Sequence, residues 1–515
     1  MLEQLWGKRR TGQDEEAVSF HPLIFHLTDV AAVARCLWEE VLDRGARTDM
    51  AAALGLTEAA AGQWVALWAG LHDLGKASPA FQGKWAPARR LLAEEGLGCK
   101  APARSVPHGV LTAMFLPQLF KELHPALAPP WTGRLGVALG GHHGIFPRSA
   151  DLLAVTRDEQ GGRRWHRLRV ELFQDFTRLW RLPELPPPRA ADPGHAFFLQ
   201  LAGLVCVADW VASNEQFFPF THPSVEIGRY REQALRQAGA ALKELAFTGW
   251  RAPFDFKDLA ELFPAIGAHG LRPLQETVRT FSKSLKGPGL VILEAPMGEG
   301  KTEAAMYLAD RWAVLLGQRG CYFALPTMAT SNQMFSRVKE FLGRRYPWSL
   351  VNLQLLHGHA SLSAEFQALR QKADRLFSPQ DIETEEDTGP LPAEVVAAEW
   401  FTRRKRGLLA PFGVGTVDQA LLAVLQTRHF FLRLFGLSHK TVVVDEVHAY
   451  DAYMTKLLER LLEWLAALDC SVGGWGDRLA QACPRPSSLI PGSPGLPLPV
   501  WVHSTLMPLL NFTEL

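Results

Sequence analysis

The sequence predicts an α + α/β multidomain protein, with an all-helical domain followed by one α/β domain built on a parallel sheet. Three observations predict it. Residues from Leu23 to about Leu242 space their apolar side chains three and four apart, as in DVAAVARCLWEEVL and GQWVALWAGLHDLGKA, the pattern of one buried helix face. From Gly289 onward, short apolar and partly β-branched runs (LVILEAP, CYFALPT, KTVVVDEVH) alternate with helical stretches, as strands do when helices cover both faces of a sheet. At 515 residues the chain is also too long for one ordinary core, so two or more domains are expected.

In chain order, residues 1–242 form the helical domain, its helices separated by Pro-rich breaks such as PALAPPW and LPELPPPRAADPGH. Residues 243–270 read as a connector containing Pro253 and Pro264. Residues 271–468 hold the strand–helix alternation, interrupted by an acidic, Pro-containing stretch from Phe377 to Glu394 that reads as an exposed loop. Residues 469–515 are rich in Pro, Gly and Ser without periodicity, and are expected to be a disordered or frameshifted tail.

Composition excludes some classes. Apolar residues make up 47% of the chain and charged residues 21%, the balance of a folded soluble protein. A net charge of +1 gives no global sign of nucleic-acid binding, so any such contact must come from local clusters. The cysteines (Cys36, Cys99, Cys206, Cys321, Cys470 and Cys483) are scattered, which argues against a zinc ribbon and a disulfide framework. The amino terminus is charged, and no uninterrupted apolar run reaches the roughly 20 residues of a membrane helix. A cytoplasmic protein with no membrane partner is expected, as a monomer.

HDLGK, from His72 to Lys76, is the sharpest feature of the first half. Adjacent imidazole and carboxylate groups can turn toward one metal centre, the first as a neutral nitrogen donor and the second as a bridge. Further candidates stand on separate helical segments: His26, His108, the pair His142 and His143, and Asp209. His21 competes with His26, which is preferred because LTDVAAVA continues from it as a helix. A lone histidine beside apolar helix is usually a hydrogen-bonded core residue, but several converging donors define a site. Nitrogen and oxygen donors without thiolate suit Mn, Fe, Co or Ni.

The second half carries APMGEGKTEAA (Ala295 to Ala305), a P-loop placed after a strand and before a helix. Its backbone N–H groups, with Gly298 and Gly300 in the turn, would cradle phosphates, Lys301 would reach the β and γ phosphates, and Thr302 would hold Mg. DEVHAYD follows an apolar strand; Asp445 is placed to bind Mg through water and Glu446 to polarise the attacking water. ATP and Mg are therefore the expected ligands of this half. RRKR (Arg403 to Arg406) reads as a solvated charged face.

The order of His, His-Asp, His, His-His and Asp resembles the HD phosphohydrolase superfamily, and its details resemble the nuclease domain of the CRISPR-associated helicases of type I systems. That resemblance spans about residues 15–468. It implies two divalent transition metal ions sharing Asp73, one held with His26, His72 and Asp209, the other with His108, His142 and His143. It also implies Lys76 near the substrate phosphate, and Ser213 and Asn214 as hydrogen-bonding support. The Ala at position 295 in place of Gly is usual in superfamily 2 helicases. By the same resemblance LRPLQ places Gln275 to read adenine. ALPTMATSNQM, with Pro326 and Thr327, and VGTVDQALL, with Thr416, match the motifs that contact one DNA strand.

The function so implied is metal-dependent cleavage of single-stranded DNA, with an ATP-binding DExH half, in CRISPR interference beside an RNA-guided, Cascade-like surveillance complex. His72, Asp73, Lys76 and Glu446 are the expected catalytic residues. No stretch after Leu468 resembles the second RecA-like domain of such helicases, which supplies an arginine finger worth a factor of about 10³ to 10⁵ in related NTPases. A truncated or frameshifted product, or one half of a split system, with severely impaired helicase function is therefore expected. VHSTL echoes the motif that should follow, but late and without its Ala. The competing expectations are an HD phosphohydrolase acting on free nucleotides and a nonfunctional remnant that only docks on DNA or on the surveillance complex.

Overall fold

The computed structural model describes residues 2–9, 20–126, 128–293, 295–296, 298–376, 394–402, 405–446, 450–475 and 500–503. The expected acidic loop falls almost wholly on residues 377–393, outside the described residues, as do 403–404 of RRKR. Contacts divide the chain into two compact units, residues 1–42 with 46–244, and residues 43–45 with 245–515.

The first unit is helical because its apolar residues recur on helix faces wide enough to bury. Trp64, Trp68, Phe120, Phe173 and Phe176 are fully buried at its centre. The helix Gly194–Ala212 is apolar nearly all round and runs through this core. By length and composition it could cross a membrane, yet 83% of its apolar window is packed inside the unit. The helix Glu58–Gly70 is started by Thr57, whose hydroxyl accepts from the Ala60 N–H at 3.3 Å.

Among the described residues, one ribbon departs from the all-helical expectation. Strands β1 (Trp6–Arg9) and β2 (Phe20–Pro22) form an antiparallel ribbon. Strands of four and three residues are too short to show a two-residue period.

Among the described residues, the second unit is built on one eight-stranded sheet. Its strands are β3 (Leu290–Leu293), β4 (Cys321–Leu325), β5 (Val351–Leu356), β6 (Val395–Val396), β7 (Phe412–Thr416), β8 (Thr441–Asp445), β9 (Ser471–Trp475) and β10 (Val500–His503). They lie in the order β10-β3-β9-β8-β4-β7-β5-β6. All neighbours run parallel except β10, which pairs antiparallel with β3. β4, β5 and β7 are buried along their whole length, which is why they read as continuous apolar runs or Gly-interrupted ones rather than alternating patterns.

Two expected boundaries need correction. The tail was expected to begin at 469, but β9 at 471–475 is an interior strand between β3 and β8. Its sequence SVGGW hides this, because two glycines remove the apolar signal while backbone hydrogen bonds to both neighbours still hold the strand. Residues 500–503, within the expected irregular tail and overlapping VHSTL, add the edge strand β10. The connector expected over 243–270 is also not free chain. Its short helices Leu259–Leu262 and Pro264–His269 lie on the second unit, with Leu259, Leu262 and Phe263 in that unit's core.

Candidate metal centre and nucleotide site

In the first unit, five segments deliver side chains to one carboxylate. His26 comes from the helix Leu23–Cys36, and His72 and Asp73 from the short 3-10 turn Leu71–Lys76. His108 opens the helix His108–Leu123, His142 and His143 follow the helix Thr132–Gly140, and Asp209 lies near the end of Gly194–Ala212. Asp73 is the hub. Its Oδ2 lies 3.0 Å from His26 Nε2 and 3.3 Å from His72 Nε2, and its Oδ1 lies 3.0 Å from His108 Nε2 and 3.5 Å from His142 Nε2. On one side Asp209 Oδ1 stands 3.5 Å from His26 and 3.7 Å from His72. On the other, His143 Nε2 is 2.9 Å from His108 Nε2, which is 3.4 Å from His142 Nε2.

The sequence named two rival histidines near residue 25, and the structure separates them. His21 is committed to Asp29 at 2.8 Å, a carboxylate that also accepts from the Tyr230 hydroxyl at 2.8 Å. His26 instead faces Asp73.

The residues fit a pair of cations on their own chemistry. His72 Nδ1 faces the Ala69 carbonyl at 2.9 Å and His142 Nδ1 faces that of Leu139 at 2.7 Å, so each ring's hydrogen is drawn to Nδ1 and Nε2 is turned to the centre. Among the described residues His72 Nε2 is buried with no hydrogen-bond partner, although oxygens lie within 4 Å, which is how a ligating nitrogen stands. Compatible donor groupings are His26 with His72 and Asp73, His72 with His142 and Asp209, and His108 with His142 and His143.

Electrostatics point the same way. Burial lowers the pKa of His26 well below the ordinary value, and lowers that of His108. Burial and a neighbouring imidazole bring His142 to about 3 and His143 to about 4, so these rings are neutral donors near pH 7. His72 is the exception. Burial opposes its charge, but Asp73 and Asp209 outweigh it and raise the imidazole to about 9. Burial likewise works against the charged carboxylates. For Asp73 it is overcome by His72, Lys76 and His108, and for Asp209 chiefly by His72, so both stay well below the carboxylate range. The centre thus gathers two charged carboxylates and four neutral imidazoles in a dry place, and a cation bound there would stand in for the proton on His72.

Supporting contacts surround it. Lys76 Nζ lies 2.7 Å from Asp73 Oδ2 and donates to the Gly7 carbonyl at 2.9 Å. Ser213 donates to Asp209 Oδ1 at 2.9 Å, as the resemblance implies, whereas Asn214 turns away to accept from the Gln216 N–H. Three contributors went unread in the sequence. Thr112 accepts from the Gly75 N–H and donates to the His72 carbonyl. Gly7 and Lys8 come from β1, where Lys8 donates to the Ala212 carbonyl at 2.6 Å.

In the second unit the expected nucleotide and strand residues gather at the carboxyl ends of parallel strands, where open α/β sheets bind ligands. The P-loop follows β3, and Gly298 and Gly300 both take left-handed φ values, 87° and 79°. Gly300 caps the helix Lys301–Leu316, whose amino end points N–H groups into the loop. Lys301 Nζ donates to the Ala295 carbonyl at 2.9 Å, and Thr302 Oγ1 accepts from Arg337 Nη1 at 3.2 Å. Gln275 is buried, and accepts from the Arg272 N–H at 3.1 Å through Oε1. A Cβ on Gly300 would come within 2.1 Å of Gln275 Nε2, so the adenine-reading candidate lies against the phosphate loop.

Asp445 ends β8, and Glu446 follows at a left-handed φ of 51°, an unusual conformation for a residue with a side chain. Residues 447–449 of DEVHAYD lie outside the described residues. Pro326 and Thr327 follow β4, with Thr327 capping the helix Met328–Arg345, and Thr416 ends β7.

Together, a helical unit with a His/Asp centre on an HD pair and a parallel-sheet unit with a P-loop and DExH segment define an HD–RecA-like protein. The sequence model of the family described as "Cas3, HD domain" matches residues 6–218. The CRISPR-associated endonuclease/helicase Cas3 of Thermus thermophilus is 41% identical over 88% of this chain and 48% of its own length. That of Escherichia coli is 30% identical over 91% of this chain and 53% of its own. Among solved structures, a crystal structure of a CRISPR-associated protein superposes with a TM-score of 0.80 at 40% identity, covering 96% of this chain and 55% of that one. A chain of a CRISPR RNA-guided surveillance complex, pre-nicking, gives 0.64 at 32% identity, covering 92% and 47%. The chain belongs to the Cas3 family. It spans about half the length of the curated relatives it matches.

Proposed function

We propose that this chain cleaves single-stranded DNA at a two-metal centre in CRISPR interference, acting in the cytoplasm beside an RNA-guided surveillance complex. The observation that carries this is the convergence of His26, His72, His108, His142 and Asp209 on the two oxygens of Asp73. His26, His72, Asp73 and Asp209 would hold one ion, and Asp73, His108, His142 and His143 the other. Bound divalent cations supply a clamp on a phosphodiester and a water of lowered pKa.

The chain's own groups then have defined work. Asp73 keeps its carboxylate charged and offers one oxygen to each side. The neutral rings of His26, His108, His142 and His143 orient without adding charge. Lys76, tethered by Gly7, holds a positive charge beside Asp73, where a phosphate oxygen would approach. In the second unit Lys301 and the P-loop amides would bind ATP phosphates, Thr302 and Asp445 would position Mg, and Glu446 would polarise water. Pro326, Thr327 and Thr416 would hold the strand that an ATP-driven motor moves.

The test is degradation of circular single-stranded DNA by the purified chain with Mn²⁺ or Co²⁺, with and without ATP, beside Asp73→Ala. Cleavage that needs metal and disappears in Asp73→Ala is the expected result. Release of small products from free nucleotides, with circular DNA left intact, would replace it with a nucleotide phosphohydrolase.

A further inference from the structure

Beside the metal centre lies a small aromatic cluster separate from the main core. Trp6 and Phe81 are buried and stacked at 4.2 Å, and Phe20 and Trp85 pack on their edge while remaining only partly buried. Trp85 meets Trp6 edge-on at 6.1 Å and Phe20 at 5.7 Å. The cluster touches the centre directly, because Phe81 meets the ligand candidate His108 edge-on at 5.4 Å. Cations are interleaved with these rings. Lys76 and Lys84 stand over Phe81 at 5.3 and 5.2 Å, and Arg9 over Trp6 at 5.9 Å. Lys84 and Arg9 are themselves exposed.

We propose that Phe20 and Trp85 form a stacking step for an unpaired base of the strand whose phosphodiester lies at the metal centre, with Lys84 and Arg9 against the phosphates flanking that base. This rests on the nuclease reading of that centre and names the feature by which it takes a single strand. The argument is physical. Trp6 and Phe81 already fill the space beneath, so a purely structural Phe20 and Trp85 would gain by burying further. They instead keep aromatic surface in water between exposed cations, with Trp85 three ring contacts from His108 by way of Trp6 and Phe81. Aromatic faces flanked by positive charge bind bases and backbone together, and any base serves because every base has a π-face. A duplex keeps its base faces covered by stacked neighbours, so only an unpaired nucleotide can use the step.

The test is a scan with end-labelled single strands carrying one abasic nucleotide at successive positions, cut by the full chain with Mn²⁺ and without ATP. Wild type is expected to cut about fivefold to a hundredfold less at the one phosphate that places the abasic position on the step, the range found for losing a stacked base. Trp85→Phe should keep that pattern, and Trp85→Leu, which retains apolar bulk, should erase it. A wild-type pattern indifferent to the abasic position overturns the inference, as does a pattern that survives in Trp85→Leu. Should Trp85→Leu fail to fold, the wild-type scan and Trp85→Phe still decide. If wild type cuts no strand, the nuclease reading falls and this inference with it; cutting without position dependence removes the stacking step alone.

Discussion

Lys76 Nζ lies 2.7 Å from Oδ2 of Asp73, the carboxylate on which the histidines converge. A metal ion and this ammonium compete for the same negative charge, so the lysine can help catalysis only through the substrate. Lys76→Met is therefore expected to leave Mn²⁺ affinity intact or higher while lowering the cleavage rate by about a hundredfold, the scale of losing one preorganised electrostatic donor. Calorimetric titration of the metal and cleavage of a labelled strand measure the two effects. An unchanged rate would make Lys76 a structural tether between Gly7 and the turn.

Gly75 sets how closely that turn approaches the helix His108–Leu123. A Cβ at this position would lie 2.1 Å from the His108 carbonyl and 2.6 Å from the Thr112 nitrogen, both backbone atoms that cannot step aside alone. Gly75→Ala is expected to push His108 away from Asp73, to cost about 1–3 kcal/mol as overpacking does, and to weaken metal binding. Thermal melts with and without Mn²⁺ check both, and a variant whose melting temperature still rises normally with Mn²⁺ would refute the coupling.

These residues show what the sequence made legible. Donors in a fixed order beside apolar helix pointed to a centre, and helix continuity favoured His26 over His21, which the structure instead pairs with Asp29. The P-loop and DExH segments were readable because each follows a strong apolar strand. What stayed hidden lacked periodicity: β1 and β2 are too short, and β9 has glycines at its centre. Lys8 and Gly7 were missed with β1, since their role depends on which helices the ribbon touches. The packing of Leu259, Leu262 and Phe263 into a core was masked by the surrounding prolines and glycines.

Lys8 gives a pH dependence with a definite sign. Burial, only partly offset by Asp29 and Asp209, brings its ammonium from 10.5 down to about 8. Between about 8 and 10.5 the unfolded chain holds a proton at Lys8 that the folded chain does not, so the Lys8 contribution to stability of the metal-free protein rises with pH across that window, while the raised pKa of His72 gives a contribution that falls up to about 9. Below the Lys8 window, the fold carries the cost of a buried charge, at most about 3 kcal/mol at 1.36 kcal/mol per pH unit. Lys8→Met should remove this slope and be more stable than wild type at pH 7. Urea unfolding with EDTA at pH 7, 9 and 10.5 would show it, and equal slopes in both proteins would exclude Lys8 as the source.

Gly300 should be indispensable for a reason that can be separated from its dihedral angle. At a φ of 79° any side chain is strained, and a Cβ there would meet Gln275 Nε2 at 2.1 Å. Gly298 at 87° is strained too, but the nearest atom to its Cβ is Arg272 Nη1 at 3.8 Å. Both Ala variants should lose ATP affinity through strain of about 1–2 kcal/mol, close to tenfold, and Gly300→Ala should lose more because it also displaces Gln275. Adding Gln275→Ala relieves that collision, so the cost of Gly300→Ala should shrink in the Gln275→Ala background while that of Gly298→Ala stays the same. Titration with a fluorescent ATP analogue and Mg²⁺ gives all six affinities. Equal cost of Gly300→Ala in both backgrounds would show that dihedral strain alone accounts for the glycine, and that Gln275 does not press on the loop.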